Sequence, residues 1–323
     1  MAYSEQVLRR ARIRLEQEKA AHERDVEAHR QIAYQRFPRL KEIDRELRLT
    51  MTQLAAAALR KDSSSSLAEI RERNLSLQRE REWILEAGEF EEGFLDDSPL
   101  CKRCNGSGYQ GSSMCSCLQE LCRQEQKKEL TSLIGSGRET FDTFRLDVYS
   151  DSYDPKIGVS PRKLMHSNYN ICRKYAQGFT PTSGSLLFSG ATGLGKTFLS
   201  ACIAHQVADA GNSVVYETAS RLFADFESEK FGAQQEDAPS ITRKYLDCDL
   251  LIIDDLGTEM TTQFTISVLY TVINTRMMEN RATIISTNLA DTEIEGRYNP
   301  QIASRLIGTY RLVQFVGEDI RRR

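Results

Sequence analysis

The segment Gly190–Thr197, which reads GATGLGKT, constrains the fold of this 323-residue chain more than any other feature. It follows the pattern G-x-x-x-x-G-K-[ST] without a mismatch, and that pattern is the signature of a phosphate-binding loop. The apolar run Leu186–Phe188 precedes it, and apolar residues at helical spacing follow it as far as residue 207. The glycines therefore fall on a strand-to-helix turn, which is the context in which this pattern binds phosphate.

The residue types of the loop predict how it would hold a nucleotide. Its glycines allow the backbone to curl around a phosphate chain in conformations that a Cβ atom would block. The N–H groups then point inward, and the helix that starts near residue 195 adds its positive end. We expect Lys196 to reach the β- and γ-phosphates and the Thr197 hydroxyl to bind Mg²⁺. The predicted nucleotide-binding residues are Gly190, Ala191, Thr192, Gly193, Leu194, Gly195, Lys196, Thr197 and Phe198.

A second stretch, DLLIIDDLGTE at residues 249–259, carries two adjacent carboxylates. Its four apolar residues predict a buried parallel strand, and Asp254 and Asp255 follow at the carboxyl end, where open α/β sheets bind ligands. We expect Asp254 to bind Mg²⁺, directly or through water, and Asp255 to orient or deprotonate the attacking water. The segment 281–287 predicts another buried strand, which ends at Asn288, so this amide could help to position that water.

The composition suits a globular domain together with a solvated helical segment, because 40% of the residues are hydrophobic and 28% are charged. The net charge of −3 gives no overall attraction to nucleic acid, so any DNA binding would use local basic patches. No apolar run approaches the length needed to span a membrane, and the charged N-terminus does not fit a signal peptide. We therefore expect a cytoplasmic protein without a membrane partner.

The first 88 residues predict helices and almost no strand. Pro38 suits the first turn of a new helix, and Ser63–Ser66 break the pattern before a third helix. Within the second helix the apolar residues step by three and four, which predicts a coiled-coil or helix-hairpin seam. The residues of this seam are Phe37, Leu40, Ile43, Leu47, Met51 and Leu54.

Five of the eight cysteines lie between residues 101 and 122. In a cytosolic protein such crowding indicates a metal site rather than disulfides. Cys101 and Cys104 form a CxxC pair on a glycine-containing turn, and Cys115 and Cys117 complete four sulfurs, the usual number for a closed tetrahedral zinc site. We predict that these four cysteines bind a structural zinc ion, with Cys122 as the alternative to one of them.

Taken together, these motifs resemble the AAA+ helicase loaders of DnaC and DnaI type. GATGLGKT, LLIIDDLGTE, VINTRM and ISTNL occur in order, and RYNPQIASRL and a closing FVGEDIR follow them. The transposition helper ATPases of IstB type share much of this pattern. The resemblance covers roughly residue 141 to the C-terminus. The layout of the N-terminal half is similar to the DnaI type, which carries a zinc-binding helicase-contact domain ahead of its ATPase.

The resemblance implies roles for three further residues. Asn288 has the place and residue type of the sensor-1 asparagine of AAA+ ATPases. Arg305, in the segment ASRL, occupies the box VII position, whose arginine reaches into the neighbouring subunit's site and stabilises charge on the transferring phosphate. Arg276, in the segment NTR, is a second candidate for such a contact in trans.

The expected fold is an α/β AAA+ core with a five-stranded parallel sheet, preceded by a helical or coiled-coil arm and a small zinc-binding module. Only 35 residues, Leu289–Arg323, follow Asn288, which is too few for the usual helical lid, so we expect a reduced or absent lid. The expected division is a helical region at 1–95, a zinc module at 96–125, a linker with a lead-in helix at 126–180 and the ATPase domain at 181–323.

The leading hypothesis is an ATPase that loads the replicative DNA helicase onto DNA, with slow hydrolysis by the isolated protein. ATP, Mg²⁺ and Zn²⁺ are the expected cofactors. The implied partners are a DnaB-type helicase, single-stranded DNA and further copies of the same chain, which would assemble in an ATP-dependent manner. Two alternatives stay open: a transposition helper ATPase of IstB type, and a nucleotide-gated interaction protein that does not hydrolyse ATP.

Overall fold

The described residues between 5 and 87 form three helices. The computed structural model describes residues 3–60, 64–91, 93–134, 139–231 and 240–322. Its first three helices are α1 (Glu5–Arg36), α2 (Pro38–Arg60) and α3 (Ser64–Ala87). Pro38 begins α2, as predicted, because its fixed φ suits a first helical turn. Of the predicted break at Ser63–Ser66, residue 63 lies outside the described residues, and Ser64 already begins α3.

Residues 14–115 form one compact unit, which we call the helical unit. Helices α2 and α3 pack against each other as a hairpin. Leu40 and Ile43 of the predicted seam are fully buried, whereas Met51 is 61% exposed, so the buried seam does not extend to Met51. A short antiparallel hairpin, β1 (Tyr109–Gln110) and β2 (Ser113–Met114), lies near the end of this unit.

Residues 1–13 and 116–323 form the second compact unit, which we call the sheet unit. Its helices are α4 (Ser116–Ile134), α5 (Pro161–Gln177), α6 (Lys196–Asp209), α7 (Ala219–Phe231), α8 (Arg243–Asp247), α9 (Gln263–Met278), α10 (Asp291–Arg297) and α11 (Pro300–Thr309). Its strands are β3 (Leu186–Ser189), β4 (Val214–Thr218), β5 (Leu250–Leu256), β6 (Ala282–Thr287) and β7 (Arg311–Gln314).

The five strands of the sheet unit are all parallel and follow the spatial order β4-β5-β6-β3-β7. Successive residues of a strand point to opposite faces. Leu186 and Phe188 therefore join a core with α6, while Leu187 joins a second core with α9. Helices cover both faces, which explains why β5 reads as a continuous apolar run. The predicted α/β fold with a five-stranded parallel sheet is confirmed.

Local sequence signals set the ends of the helices that frame the sheet. Ser160 caps α5 by accepting a hydrogen bond from the Lys163 N–H, and Asn299 caps α11 by accepting one from the Ile302 N–H. Each of these helices has a proline at its first turn. Thr262 caps α9 in the same way. These caps satisfy backbone N–H groups that the helix itself leaves unpaired.

Beyond β7, the part of the chain that the structure describes adds one 3₁₀ turn, Ile320–Arg322. The expectation of a reduced or absent helical lid stays a prediction. None of the described helices is both long enough and apolar enough to span a membrane. The predicted four-part division of the chain, at residues 95, 125 and 180, stays a prediction.

Candidate nucleotide-binding site and cysteine centre

The phosphate-binding loop connects the end of β3 at Ser189 to the start of α6 at Lys196. Gly190, Gly193 and Gly195 all have positive φ angles, of 150°, 79° and 92°. The first turn of α6 has no side-chain cap, so its N–H groups face the loop without a protein acceptor from the capping residue. An uncapped helix N-terminus behind a glycine-rich turn is a site that favours an anion.

Each of the three glycines is also required by a close neighbour. A Cβ atom at Gly190 would overlap the Phe315 carbonyl, and one at Gly193 would overlap the Asp319 carboxylate. A Cβ atom at Gly195 would lie 2.7 Å from the Tyr149 hydroxyl oxygen, which itself donates to the Leu194 carbonyl at 2.9 Å. The loop is therefore packed between the segment before α5 and the segment after β7.

Lys196 is directed back onto the loop. Its side chain is buried, and its ammonium donates to the Gly190 carbonyl at 2.6 Å and to the Ala191 carbonyl at 2.9 Å. Burial lowers the pKa of Lys196, while the negative charges of Asp255 and Asp254 raise it. Both carboxylates therefore lie close enough to Lys196 to interact with its charge. The structure thus brings together the loop and the tip of β5, as the sequence predicts.

Asp254 and Asp255 differ in their surroundings although they are adjacent in sequence. Asp254 is 4% exposed and accepts hydrogen bonds from the Tyr216 hydroxyl, at 2.7 Å, and from the Ser286 hydroxyl. Asp255 is exposed, and its backbone lies in the left-handed region at φ 55°. Partial desolvation, and then the charge of Asp254, raise the pKa of Asp255. One carboxylate is therefore fixed in place, and the other faces the solvent above the loop.

Asn288 follows β6 directly and is exposed. Thr287 pairs in register with Ser189, the residue before the loop, and the Gly190 N–H donates to the Thr287 carbonyl at 3.3 Å. The position of Asn288 at the strand tip next to the loop agrees with the geometry that its predicted role requires. The role itself stays a prediction.

Arg305 lies on α11, and its guanidinium contacts α9 rather than the phosphate-binding loop. It donates to the Asn274 side-chain oxygen, to the Tyr270 hydroxyl and to the Gln301 carbonyl, over distances of 2.9–3.2 Å. The side chain is half-buried. Its hydrogen bonds do not join it to the site of its own chain, which leaves the predicted contact with a neighbouring subunit open.

Arg276 is fully buried, and this corrects the expectation of a contact in trans. Its guanidinium donates to the carbonyls of Tyr245, Leu246, Cys248 and Ala282 and to the Thr283 hydroxyl. An arginine whose N–H groups are consumed by core carbonyls cannot extend to another subunit. It fixes the last turns of α9 to α8, to the residue after α8 and to the start of β6.

Cys101, Cys104, Cys115 and Cys117 bring their sulfur atoms within 4.8 Å of one another. The Cys101 and Cys115 sulfurs are 3.8 Å apart, which is about the separation that tetrahedral zinc with bonds of about 2.3 Å requires. The Gly108 N–H donates to the Cys104 sulfur at 3.3 Å, a bond that favours a thiolate. These four residues fit a structural zinc ion. Cys122 lies outside the group, and burial raises the pKa of its thiol to about 11.

Several residues at the site are not among the site residues that the sequence predicts. Tyr216 and Ser286 hold Asp254 from the strands on either side of β5. In the turn after β7, the Ile320 N–H donates to the Gly193 carbonyl at 3.0 Å, and Arg321 is close enough to influence the pKa values of Lys196 and Asp255. The motifs ISTNL and FVGEDIR contain Ser286 and Arg321 and were the available signals for these two residues, whereas Tyr216 lies in neither.

Comparison with known proteins gives a family match in the sheet unit. Residues 171–321 match the family described as IstB-like ATP binding protein. The replicative helicase loader DnaC of Buchnera aphidicola subsp. Acyrthosiphon pisum is 21% identical over 190 residues, which cover 58% of this chain and 74% of that protein. The chromosomal replication initiator protein DnaA of Aliarcobacter butzleri is 27% identical over 139 residues, which cover 43% of this chain but only 28% of that protein.

Two solved structures also align with part of this chain. A crystal structure of the DnaC helicase loader shares 18% identity, with a TM-score of 0.45 over 55% of this chain and 98% of the other. A crystal structure of DnaI shares 17% identity, with a TM-score of 0.46 over 60% of this chain and 99% of the other.

Proposed function

Because residues 171–321 match the family described as IstB-like ATP binding protein and the chain is similar to a replicative helicase loader DnaC, we propose that this protein loads a replicative DNA helicase onto DNA in an ATP-dependent step. The observation that carries the proposal is the site itself. A glycine-rich loop, an uncapped helix and two carboxylates meet at the carboxyl ends of β3 and β5. This arrangement binds a nucleoside triphosphate and activates water.

The residues from Gly190 to Phe198 hold the triphosphate. The N–H groups of the loop and of the first turn of α6 bind phosphate oxygens. In the structure the Lys196 ammonium donates to the carbonyls of Gly190 and Ala191. When the triphosphate binds, it would donate to oxygens of the β- and γ-phosphates instead. Thr197 and Asp254 would hold Mg²⁺, which supplies charge neutralisation between the phosphates. Tyr216 and Ser286 keep the Asp254 carboxylate in a fixed orientation for that purpose.

Hydrolysis depends on groups around the γ-phosphate. Asp255, exposed above the loop, orients the attacking water and accepts its proton, and Asn288 at the tip of β6 helps to position the water. Arg305 of a neighbouring copy stabilises the charge that develops on the transferring phosphate. A site completed in trans requires a homo-oligomer that assembles with ATP, and it makes hydrolysis by the isolated chain slow.

The helical region at 1–95 and the zinc module at 96–125 are assigned to binding the DnaB-type helicase, while the linker at 126–180 leads into the ATPase domain at 181–323. A closed four-sulfur site has no open position for catalysis, so zinc would stabilise the fold of the module. The proposed oligomer also contacts single-stranded DNA. In this proposal all of these steps take place in the cytoplasm.

The family match by itself also fits a transposition helper ATPase of IstB type, because that family gives the domain its description. The alignment with a DnaC loader over 58% of this chain favours the loader. The two functions differ in their partner: the loader captures a replicative helicase, and the helper acts with a transposase on double-stranded DNA.

The decisive experiment is a pull-down of the host's replicative helicase by the full chain, with and without ATP. The proposal predicts capture of the helicase and a change in capture when ATP is present. Lys196→Ala serves as the control, since it should remove the effect of ATP but not the helicase contact. If the chain does not capture the helicase but binds double-stranded DNA and a transposase, the loader function is refuted and the transposition helper function is supported.

A further inference from the structure

The guanidinium of Arg305 is held by two side chains of α9. Asn274 accepts two hydrogen bonds through one oxygen, at 3.1 Å from Nε and 2.9 Å from Nη2. The Tyr270 hydroxyl accepts a third from Nη2 at 3.0 Å, and the Tyr270 ring lies 4.6 Å below the guanidinium carbon. With the bond to the Gln301 carbonyl, these contacts use four of the five N–H groups that a guanidinium carries.

Every group that holds Arg305 is neutral. The acceptors are an amide oxygen, a phenol oxygen, a backbone carbonyl and an aromatic face. In the part of the chain that the structure describes, no carboxylate pairs with Arg305. A structural tie between two helices would be stronger with an ionised partner. Neutral acceptors instead orient the guanidinium while leaving its positive charge available to an outside anion.

We propose that Asn274 and Tyr270 are positioning residues for Arg305, which they hold in the orientation that it presents to the phosphates of a neighbouring subunit. The inference rests on the proposed function, because it assumes that Arg305 acts in trans. Holding the side chain before assembly reduces the conformational freedom that the contact would otherwise remove. The acceptors on α9 thereby raise the hydrolysis rate at a site to which they do not belong.

The variant Asn274→Asp separates positioning from simple packing. The new carboxylate has nearly the same shape and keeps the bonds to Arg305, but it neutralises the charge. We expect the thermal stability of this variant to be unchanged or higher and its ATP affinity to stay within about twofold of the wild type. The rate of ATP hydrolysis should fall at least about tenfold, which is less than the roughly 10³- to 10⁵-fold contribution of such an arginine because the guanidinium is still present. Thr271→Asp, at an exposed position of the same helix, is the matched control and should retain hydrolysis. Hydrolysis at the wild-type rate by Asn274→Asp would overturn the inference.

A mixing experiment locates the defect. Asn274→Asp chains are mixed with Asp255→Asn chains, whose own site is inactive but whose Arg305 is intact. The mixture should regain hydrolysis, because Asp255→Asn chains supply the arginine to the functional sites of their neighbours. Tyr270→Leu should behave in the same way, since it removes both the ring and the hydroxyl.

The same mixing experiment with Arg305→Ala tests separately whether Arg305 acts in trans and whether Asn274 positions it. If Arg305→Ala is restored by mixing but Asn274→Asp is not, Asn274 acts within its own site or fold, and the inference fails while the proposed trans arginine stands. If neither is restored, Arg305 does not act in trans, and the proposed mechanism fails together with the inference.

Discussion

The contact between Gly193 and Asp319 gives a quantitative test of how the turn after β7 holds the phosphate-binding loop. The perturbation is Gly193→Ala. The three atoms nearest to the added Cβ all belong to the Asp319 carboxyl group, and Gly193 has a φ of 79°. The left-handed conformation costs an alanine about 1–2 kcal/mol. The overlap adds about 1–3 kcal/mol, the usual cost of an extra methyl group in a packed site.

A double-mutant cycle separates these two costs. Asp319→Ala removes all three atoms in question and, by itself, costs about 1 kcal/mol because it removes the acceptor of the Arg321 N–H. In the double variant only the backbone cost remains at residue 193, so the two substitutions should be non-additive by about 1–3 kcal/mol. Gly158→Ala is the matched control, because Gly158 has a φ of 73° and open space around its Cβ position.

The assay is urea unfolding of the nucleotide-free chain followed by circular dichroism, since the single tryptophan, Trp83, lies in the helical unit and does not report on the loop. Gly193→Ala should lose about 2–5 kcal/mol of unfolding free energy, and Gly158→Ala about 1–2 kcal/mol. Additivity of Gly193→Ala and Asp319→Ala within about 0.5 kcal/mol would refute the packing of the turn on the loop.

Three further predictions concern binding, metal and pH. Lys196→Ala should abolish ATP binding, measured by calorimetry, and retained affinity would contradict the site assignment. Metal analysis should find about one zinc per chain in the wild type and none in Cys104→Ser, with Cys122→Ser retaining zinc; a folded but zinc-free wild type would contradict the centre. Burial lowers the pKa of His205. The stability that its neutral imidazole contributes is therefore fully present above about pH 6.5, the pKa of histidine in an unfolded chain, and is lost as the pH falls through the lowered pKa of the folded state. His205→Gln should lose less stability than the wild type between pH 7 and 5 in thermal unfolding, and an equal loss would refute this cause.

The parts of the fold that the sequence predicts are those encoded locally. The strand-to-helix turn at Gly190 and the two carboxylates at the carboxyl end of β5 appear where expected, because apolar periodicity and glycine placement act over a few residues. The strand predicted at 281–287 begins at Ala282 in the structure. The residue at which a strand begins depends on its pairing with neighbouring strands, here β3 and β5, which is not a local property.

The parts that were missed are non-local. The NTR segment marks Arg276 as a charged residue on a helix, and charge alone favours a surface position. Its burial follows from carbonyls at residues 245–248 and 282 that converge only after the sheet has formed. Likewise, the contact of Asp319 with Gly193 joins positions more than 120 residues apart in sequence. No spacing rule along the chain could indicate either arrangement.

The buried position of Arg276 has a consequence for assembly. Arg276 anchors α9 to α8 and to the start of β6, and α9 also carries the side-chain acceptors of Arg305. If Arg305 acts in trans as proposed, the distance between a subunit's own Asp254–Asp255 pair and the guanidinium that it would offer to a neighbour is set by the interior of the protein. Surface loops can vary without altering that separation. The packing of the core would therefore set the pitch and curvature of an oligomer built on such contacts, and the same geometry would occur at every interface.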